Sequence, residues 1–445
     1  MHRSLFSFNL RNETVADEFR RALSPVSYLL SPPNSTRNLV NEAIVLMAKG
    51  CEVILDNGNF SVCGDLISMF RKRVDDALTE RSDRPSQLNG IAKQIEAVAL
   101  ESVGTRRRLS AGLSLTPSRV IGEEDVTLAV LLSLGIIDRL DLPGTKIRSI
   151  NEQVAQAAIE NQAMGSRTSR RYAVASAYDY GSAFIAGQVF GRHAIRNVAM
   201  GFGAFMSDDS YVEQAQYAGK TIRLDEGTPN RYIRTASVAR GFFDGYASTP
   251  ARSPKAFHCL GLGAPMMMGL VRLAGWGVQL MSFDSTSPIK DAISGSLYTM
   301  RPAYLKLDCT KIAGRLAASN GRWSCPCRFC RSFTAEYPFD YEMGHQWFVQ
   351  NKRFPTYDDL KRGTLSKAFP LLAQYGVGVE ARRRALTCMG HNHWVVAKVV
   401  AGIERNSGTK NALLHHVKRV IEMYEENTTA PFARALRAAE QIITQ

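Results

Sequence analysis

Val278-Gln279-Leu280-Met281-Ser282-Phe283-Asp284 reads as a short apolar strand that closes on a carboxylate, and the pattern recurs along the chain. Glu52-Val53-Ile54-Leu55 ends on Asp56, Arg119-Val120-Ile121 runs into Glu123-Glu124-Asp125, and Tyr172 to Tyr178 ends on Asp179. Val198 to Met206 carries Gly201-Phe202-Gly203, and Ala256 to Leu260 leads into Gly261-Leu262-Gly263. With Leu5 to Phe8 and Ser27 to Ser31 these make eight strand signals. Apolar spacing of three and four predicts helices between them, over Arg37 to Lys49, Leu66 to Leu78, Gln87 to Val103, Val126 to Leu134, Ile150 to Met164, Ser182 to Arg196, Asn230 to Phe243 and Met266 to Ala274. Strands alternating with helices predict an α/β fold. A TIM-type (β/α)8 barrel is favoured over a doubly wound open sheet, because the residues with chemical character sit just after the strands. A parallel barrel gathers all those ends on one rim. The expected catalytic barrel spans residues 1–300, and residues 301–445 form a second, mainly helical region.

A chain of 445 residues can bury a large core, and 45% apolar with 22% charged residues is ordinary for a soluble globular protein. The longest apolar candidate, Val126 to Ile137, is too short to span a bilayer, and Met1 to Phe8 lacks the apolar core of a signal peptide. The expectation is a cytoplasmic protein without a membrane partner. Its eight cysteines then read as reduced thiols or metal ligands, with Cys51, Cys63, Cys259, Cys309 and Cys388 as free thiols. A net charge of +14 points to a polyanionic partner such as nucleic acid.

Cys325, Cys327 and Cys330 stand close enough in sequence to converge on one point, and a distant imidazole is a common fourth ligand for tetrahedral zinc. His391 is preferred over His393 and His345, because Gly390-His391-Asn392 is expected to begin a helix that projects the ring at the thiolates. Four protein ligands make such a Zn²⁺ structural, with no open position for water.

Asp56 and Asp284 taken singly read as helix caps or turn residues. On one barrel rim they supply the two carboxylates that displacement at an anomeric carbon needs. Glu124, Asp125 and Asp179 either favour helix N-termini or accept hydrogen bonds from a guanine-like base. Gly201, Gly203, Gly261 and Gly263 either serve turns or let a flat ring approach the backbone, and Tyr178 and Phe202 either pack in the core or stack on a base. Lys290, Arg301, Arg322, Arg328 and Arg382 to Arg384 either form a solvated face or track a phosphate backbone.

In this order, the motifs resemble the queuine/archaeosine tRNA-guanine transglycosylases. The resemblance rests on Phe283-Asp284-Ser285-Thr286-Ser287-Pro288, Gly261-Leu262-Gly263, Asp56-Asn57-Gly58-Asn59-Phe60 and the thiols followed by His391-Asn392. It implies a nucleophile at Asp284, a general acid/base at Asp56, a covalent glycosyl-enzyme, and dimers through the zinc side. The family's Asp-Ser-Gly-Gly-Phe is here Asp-Asn-Gly-Asn-Phe, and the family's base-reading strands have their nearest positions at Tyr178-Asp179 and Gly201-Phe202-Gly203. Arg331 to Met389 is an enlarged insert between thiols and histidine. In this the chain is more similar to the divergent branch that places 7-cyano-7-deazaguanine or a relative into DNA, with DNA, a 7-deazaguanine base and other DNA-modification proteins as implied partners. The same chemistry on tRNA is the alternative, and a non-catalytic zinc-stabilised nucleic-acid-binding protein is a second.

Overall fold

The computed structural model describes residues 3–9, 27–31, 37–79, 84–105, 115–164, 170–293, 296–299, 305–307, 325–331 and 379–445. Strands β1 (Arg3–Asn9), β2 (Ser27–Leu30), β3 (Glu52–Leu55), β4 (Arg119–Ile121), β5 (Arg170–Ala175) and β6 (Asn197–Gly201) are followed by a hairpin, β7 (Tyr211–Tyr217) and β8 (Lys220–Pro229). Then come β9 (Ala256–Leu260) and β10 (Leu280–Asp284). All but the hairpin pair in parallel around a closed ring, in which β6 neighbours β9 and β10 returns to β1. The expected (β/α)8 barrel is therefore the observed fold.

The pleat sorts each strand into two faces. Leu5, Leu29, Ile54, Ile121, Tyr172, Val174, Ala199, Ala256 and Leu280 pack together as the inner layer. Their neighbours in sequence, among them Phe6, Leu55, Ala173, Met200, Phe257 and Phe283, pack instead with the helices. Those helices are α1 (Arg37–Ala48), α2 (Asn59–Thr79), α3 (Arg84–Thr105), α4 (Thr127–Ser133), α5 (Gly144–Met164), α6 (Tyr180–Arg192), α7 (Gly203–Met206), α8 (Asn230–Ala247), α9 (Pro265–Ala274) and α10 (Ser287–Ile293). The inner faces also carry polar residues at the same parity: Ser7, Ser27, Arg119, His258 and Ser282 are all buried.

Two features depart from the expected elements. The strand expected over Val198 to Met206 stops at Gly201, and the chain turns at once into the single turn of α7. The β7–β8 hairpin has little sequence signal because most of its side chains are in water. Its turn places Ala218 (φ 48°) and Gly219 (φ 76°) consecutively in the left-handed region, the geometry of a two-residue type I′ loop.

After α10 come the short pair β11 (Leu297–Tyr298) and β12 (Lys306–Leu307), then α11 (Arg328–Arg331), α12 (Val379–Asn406), α13 (Lys410–Glu425) and α14 (Ala430–Thr444). The last three lie on the barrel's own helices: α12 contacts β1, α9 and α10, α13 contacts α9, and α14 contacts α8, α9 and the hairpin. Tyr217 at the hairpin turn donates to Gln445 Oε1 at 3.0 Å. Arg301, Arg322, Cys309 and His345 lie outside the described residues, as does most of the expected insert. Cys259 and Cys388 are buried, whereas Cys51 and Cys63 are part-exposed. Among the described residues no helix is long and apolar enough to cross a membrane.

Helices α6 and α8 touch backbone to backbone through glycines. A Cβ on Gly187 would overlap the Phe242 carbonyl, and one on Gly245 would overlap the Phe184 carbonyl. Main chain cannot move aside as a flexible side chain can, so Gly245→Ala is expected to lower unfolding stability by about 1–3 kcal/mol in urea titrations. Wild-type stability in this variant would show that the two helices are not in such contact.

Candidate active site

Leu280, Ser282 and Asp284 share the inner face of β10, which brings Asp284 to the barrel mouth as the last inward residue of its strand. It is only 7% exposed. One carboxylate oxygen, Oδ1, accepts the Gly261 N–H at 3.0 Å. That amide is aimed by a backbone few residues adopt: Gly261 has φ +72°, and a Cβ there would stand 3.0 Å from the Cα of Gly203. Gly263 is crowded in turn by Ser285, next to the nucleophile candidate. Gly201 sits where an added Cβ would meet nothing within 4 Å, so the space beside it is open.

Asp56 follows β3, with its N–H on the Leu30 carbonyl at 2.8 Å. Burial pushes its carboxyl up to about 7, with the charges of Asp284 and Glu124 adding to the rise. The N–H of Asn57 and the hydroxyl of Ser31 oppose it. Asp56, Glu124 and Asp284 therefore share one electrostatic field at the rim, as the sequence reading of the two aspartates required.

The residues after Asp56 hold its neighbour on the rim, Glu124. Asn57 and Asn59 both donate their side-chain amides to Glu124 Oε2, and Asn57 also donates to the Gly122 carbonyl at 3.3 Å. Asn57 Oδ1 accepts the N–H of Asn59 at 2.9 Å. The two asparagines and Glu124 thus act as a set that ties the β3 loop to the β4 loop.

Other expected site residues are placed elsewhere. Asp125 is buried and accepts the Thr127 N–H at 2.8 Å, at the start of α4. Glu123 accepts Arg171 Nε at 3.0 Å and Asn161 Nδ2 at 2.6 Å, which directs it to β5 and α5. Asp179 is exposed and caps α6: its Oδ1 accepts the Ser182 N–H at 2.7 Å, while Ser182 Oγ accepts the Asp179 N–H. Phe202 is fully buried, edge-on to Phe205, because α7 begins there and turns the ring into the core, so it cannot stack on a base. Tyr178 lines a separate cleft of about 690 Å³ between α6, α8 and the hairpin. Burial, with Asp179 and Asp138, pushes its phenol up to about 12.

His258 was not among the expected site residues. It lies on β9 with its Nε2 3.4 Å from Asp284 Oδ1 and its Nδ1 2.8 Å from Ser282 Oγ. The available signal was its parity, between inward-facing Ala256 and Leu260.

In the C-terminal region Cys325, Cys327, Cys330 and His391 bring one ligand atom each within 4.8 Å of one another. His391 Nδ1 lies 3.4, 3.5 and 3.4 Å from the three sulfurs in that order. Zinc–ligand distances at tetrahedral angles give S···N edges of about 3.6 Å, so these side chains fit a metal ion such as zinc. His391 Nε2 is occupied by the Tyr298 carbonyl at 2.8 Å, which turns Nδ1 to the thiols. The ring does not come from a helix start, as expected, but from the middle of α12. Gly390, one residue before, is needed because a Cβ there would overlap the Phe329 ring. His393 is fully buried, and burial pushes it down to about 3. Asn392 then binds the chain just beyond Asp284: it donates to Pro288 O at 3.2 Å and Ser296 O at 3.0 Å, and accepts the Tyr298 N–H at 2.9 Å.

No protein-family model matches this sequence, and no curated protein matches it.

A carboxyl raised to about 7 in the folded chain, from 3.8, binds a proton that the unfolded chain has lost between those values. Stability attached to Asp56 is therefore lost as pH rises from about 4 through about 7, and stays lost above. Asp56→Asn removes that loss, so its melting temperature is expected to gain on the wild type more at pH 8 than at pH 5. An equal difference at the two pH values would refute the raised carboxyl.

Proposed function

We propose that this chain is a guanine transglycosylase that exchanges guanine in DNA for a 7-deazaguanine base, 7-cyano-7-deazaguanine or a relative. The observation that carries the proposal is the pairing at one rim of Asp56, poised near neutral pH, with Asp284, one of whose oxygens is held by a backbone amide. With Oδ1 so held, Oδ2 is the oxygen presented to the anomeric carbon. Its attack on C1′ forms the ester bond as the C1′–N9 bond breaks, and the base leaves as neutral guanine by taking the proton of Asp56. The incoming 7-deazaguanine then attacks C1′ with its ring nitrogen, the Asp284 ester bond breaks, and the ring N–H proton returns to Asp56. Two inversions give retention, and Asp56 ends as it began. An acid titrating near the working pH suits both halves. The target nucleotide must leave its stack, which costs a few kcal/mol.

DNA is favoured over tRNA by the enlarged insert at residues 331–389, and the +14 charge suits either polyanion. Zn²⁺ would be held by Cys325, Cys327, Cys330 and His391, where it supplies cross-linking and no open coordination position. Reduced thiolates of this kind suit a cytoplasmic location. Through His391 and Asn392 the cross-link would brace Pro288, Ser296 and Tyr298, which follow the nucleophile in sequence.

Incubation with radiolabelled guanine is expected to put label into duplex DNA, and Asp284→Ala to abolish both the label and the denaturation-resistant protein–DNA adduct. Label appearing only in tRNA moves the substrate. An adduct that survives Asp284→Ala removes the nucleophile assignment, and no label in either nucleic acid overturns the proposal. Chelation, or His391→Ala, is expected to release stoichiometric zinc and lower the melting temperature by several degrees; metal analysis finding no zinc in the wild type rejects the metal assignment.

A further inference from the structure

A chain of polar groups runs beneath the Asp284 carboxylate across four barrel strands, buried from Arg119 onward and part-exposed at Glu52. Glu52 on β3 pairs with Arg119 on β4. Arg119 Nη1 lies 3.4 Å from Ser282 Oγ on β10. Ser282 Oγ lies 2.8 Å from His258 Nδ1 on β9, and His258 Nε2 lies 3.4 Å from Asp284 Oδ1. Arg119, Ser282 and His258 are all 1% exposed or less. Tyr172 meets the His258 ring edge-on at 6.2 Å and closes it off from the side.

Arg119, at the lower end of this chain, favours one order of protons along it. A guanidinium has donors and no acceptor, so Arg119 can only donate to Ser282. A hydroxyl that accepts there still has its own proton to give, and the neighbouring acceptor is His258 Nδ1. A neutral ring that accepts at Nδ1 carries its proton on Nε2, the nitrogen aimed at Asp284. We infer that His258 is a positioning residue for the nucleophile: held in the Nε2–H tautomer by Ser282 and Arg119, it presents an N–H toward Asp284 Oδ1, 3.4 Å away and not hydrogen-bonded in this structure, where its dipole favours that oxygen's negative charge. The Gly261 amide fixes that oxygen, the His258 ring faces it from a second side, and Oδ2 is left to react. The donor also stabilises the carboxylate in its two charged moments, before attack and as the ester bond breaks. This rests on the proposed nucleophilic role of Asp284, although the tautomer itself does not.

The test has two arms. In protein labelled with ¹⁵N-histidine, with His258 assigned by its loss in His258→Gln, the ring is expected to be protonated on Nε2. A neutral ring protonated on Nδ1 overturns the inference, whatever the protein's activity. In Ser282→Ala, which removes the hydroxyl that sets the tautomer, the Nε2–H preference is expected to weaken. In single-turnover adduct formation at saturating DNA, His258→Phe is expected to be about 100-fold slower with DNA affinity unchanged, the scale of losing one preorganised donor. His258→Gln, which keeps an N–H at similar reach, recovers part of that rate. A His258→Phe protein that forms adduct at the wild-type rate also overturns the inference. If the wild type forms no adduct with DNA or tRNA, the transglycosylase reading fails, while the tautomer measurement still decides whether His258 presents its N–H to Asp284.

Discussion

Hydrogen bonds from β10 to β1 close the barrel, and closure fixes the pleat of every strand at once. With no free edge, no strand can slip by one residue without turning its whole inner face outward. The inward positions are therefore determined together: Ile54 implies Asp56, Leu280 implies Ser282 and Asp284, and Ala256 implies His258. An apolar inner layer supports the ring, while buried polar residues of the same parity connect it to the mouth. The carboxylates are where they are because the pleat leaves them nowhere else to point.

Three acids in one field would repel one another and loosen the rim unless each were anchored differently. Glu124 is held by the amides of Asn57 and Asn59, and Asp284 by the amide of Gly261. Asp56 keeps the unfavourable share, and burial with its two charged neighbours lifts its carboxyl toward neutrality. That division is useful for chemistry in which one carboxyl must carry a proton while another carries charge. It also explains why Asp56 is followed by two asparagines: their side chains hold the neighbouring acid.

The metal-ligand cluster affects the rim only indirectly. His391 and Asn392 are adjacent on α12, one facing the thiols and the other the chain that leaves Asp284. A metal ion held there would cross-link α11 to α12, and α12 packs on β1 and α10. The C-terminal helices are docked on the barrel wall, with the hairpin caught against α14.

All eight barrel strands, the carboxylates after them and the four-residue metal cluster were legible in the sequence, because local periodicity and ligand spacing are properties of short stretches. The separation of the acids that share the rim from those that bond elsewhere was not. Glu123, Glu124 and Asp125 are consecutive and chemically alike, yet Glu123 bonds to Arg171, Glu124 to two asparagines and Asp125 to the start of α4. Phe202 and Gly201 are neighbours, but one is in the core and the other faces open space. In sequence His258 is an isolated histidine in an apolar run, marked only by its parity, and it has no partner until another strand supplies one. Sequence determines what each strand presents to its two faces. Which groups meet across the barrel, and so which carboxyl is raised and which is held, depends on contacts between strands far apart in the chain, and only the closed tertiary structure decides it.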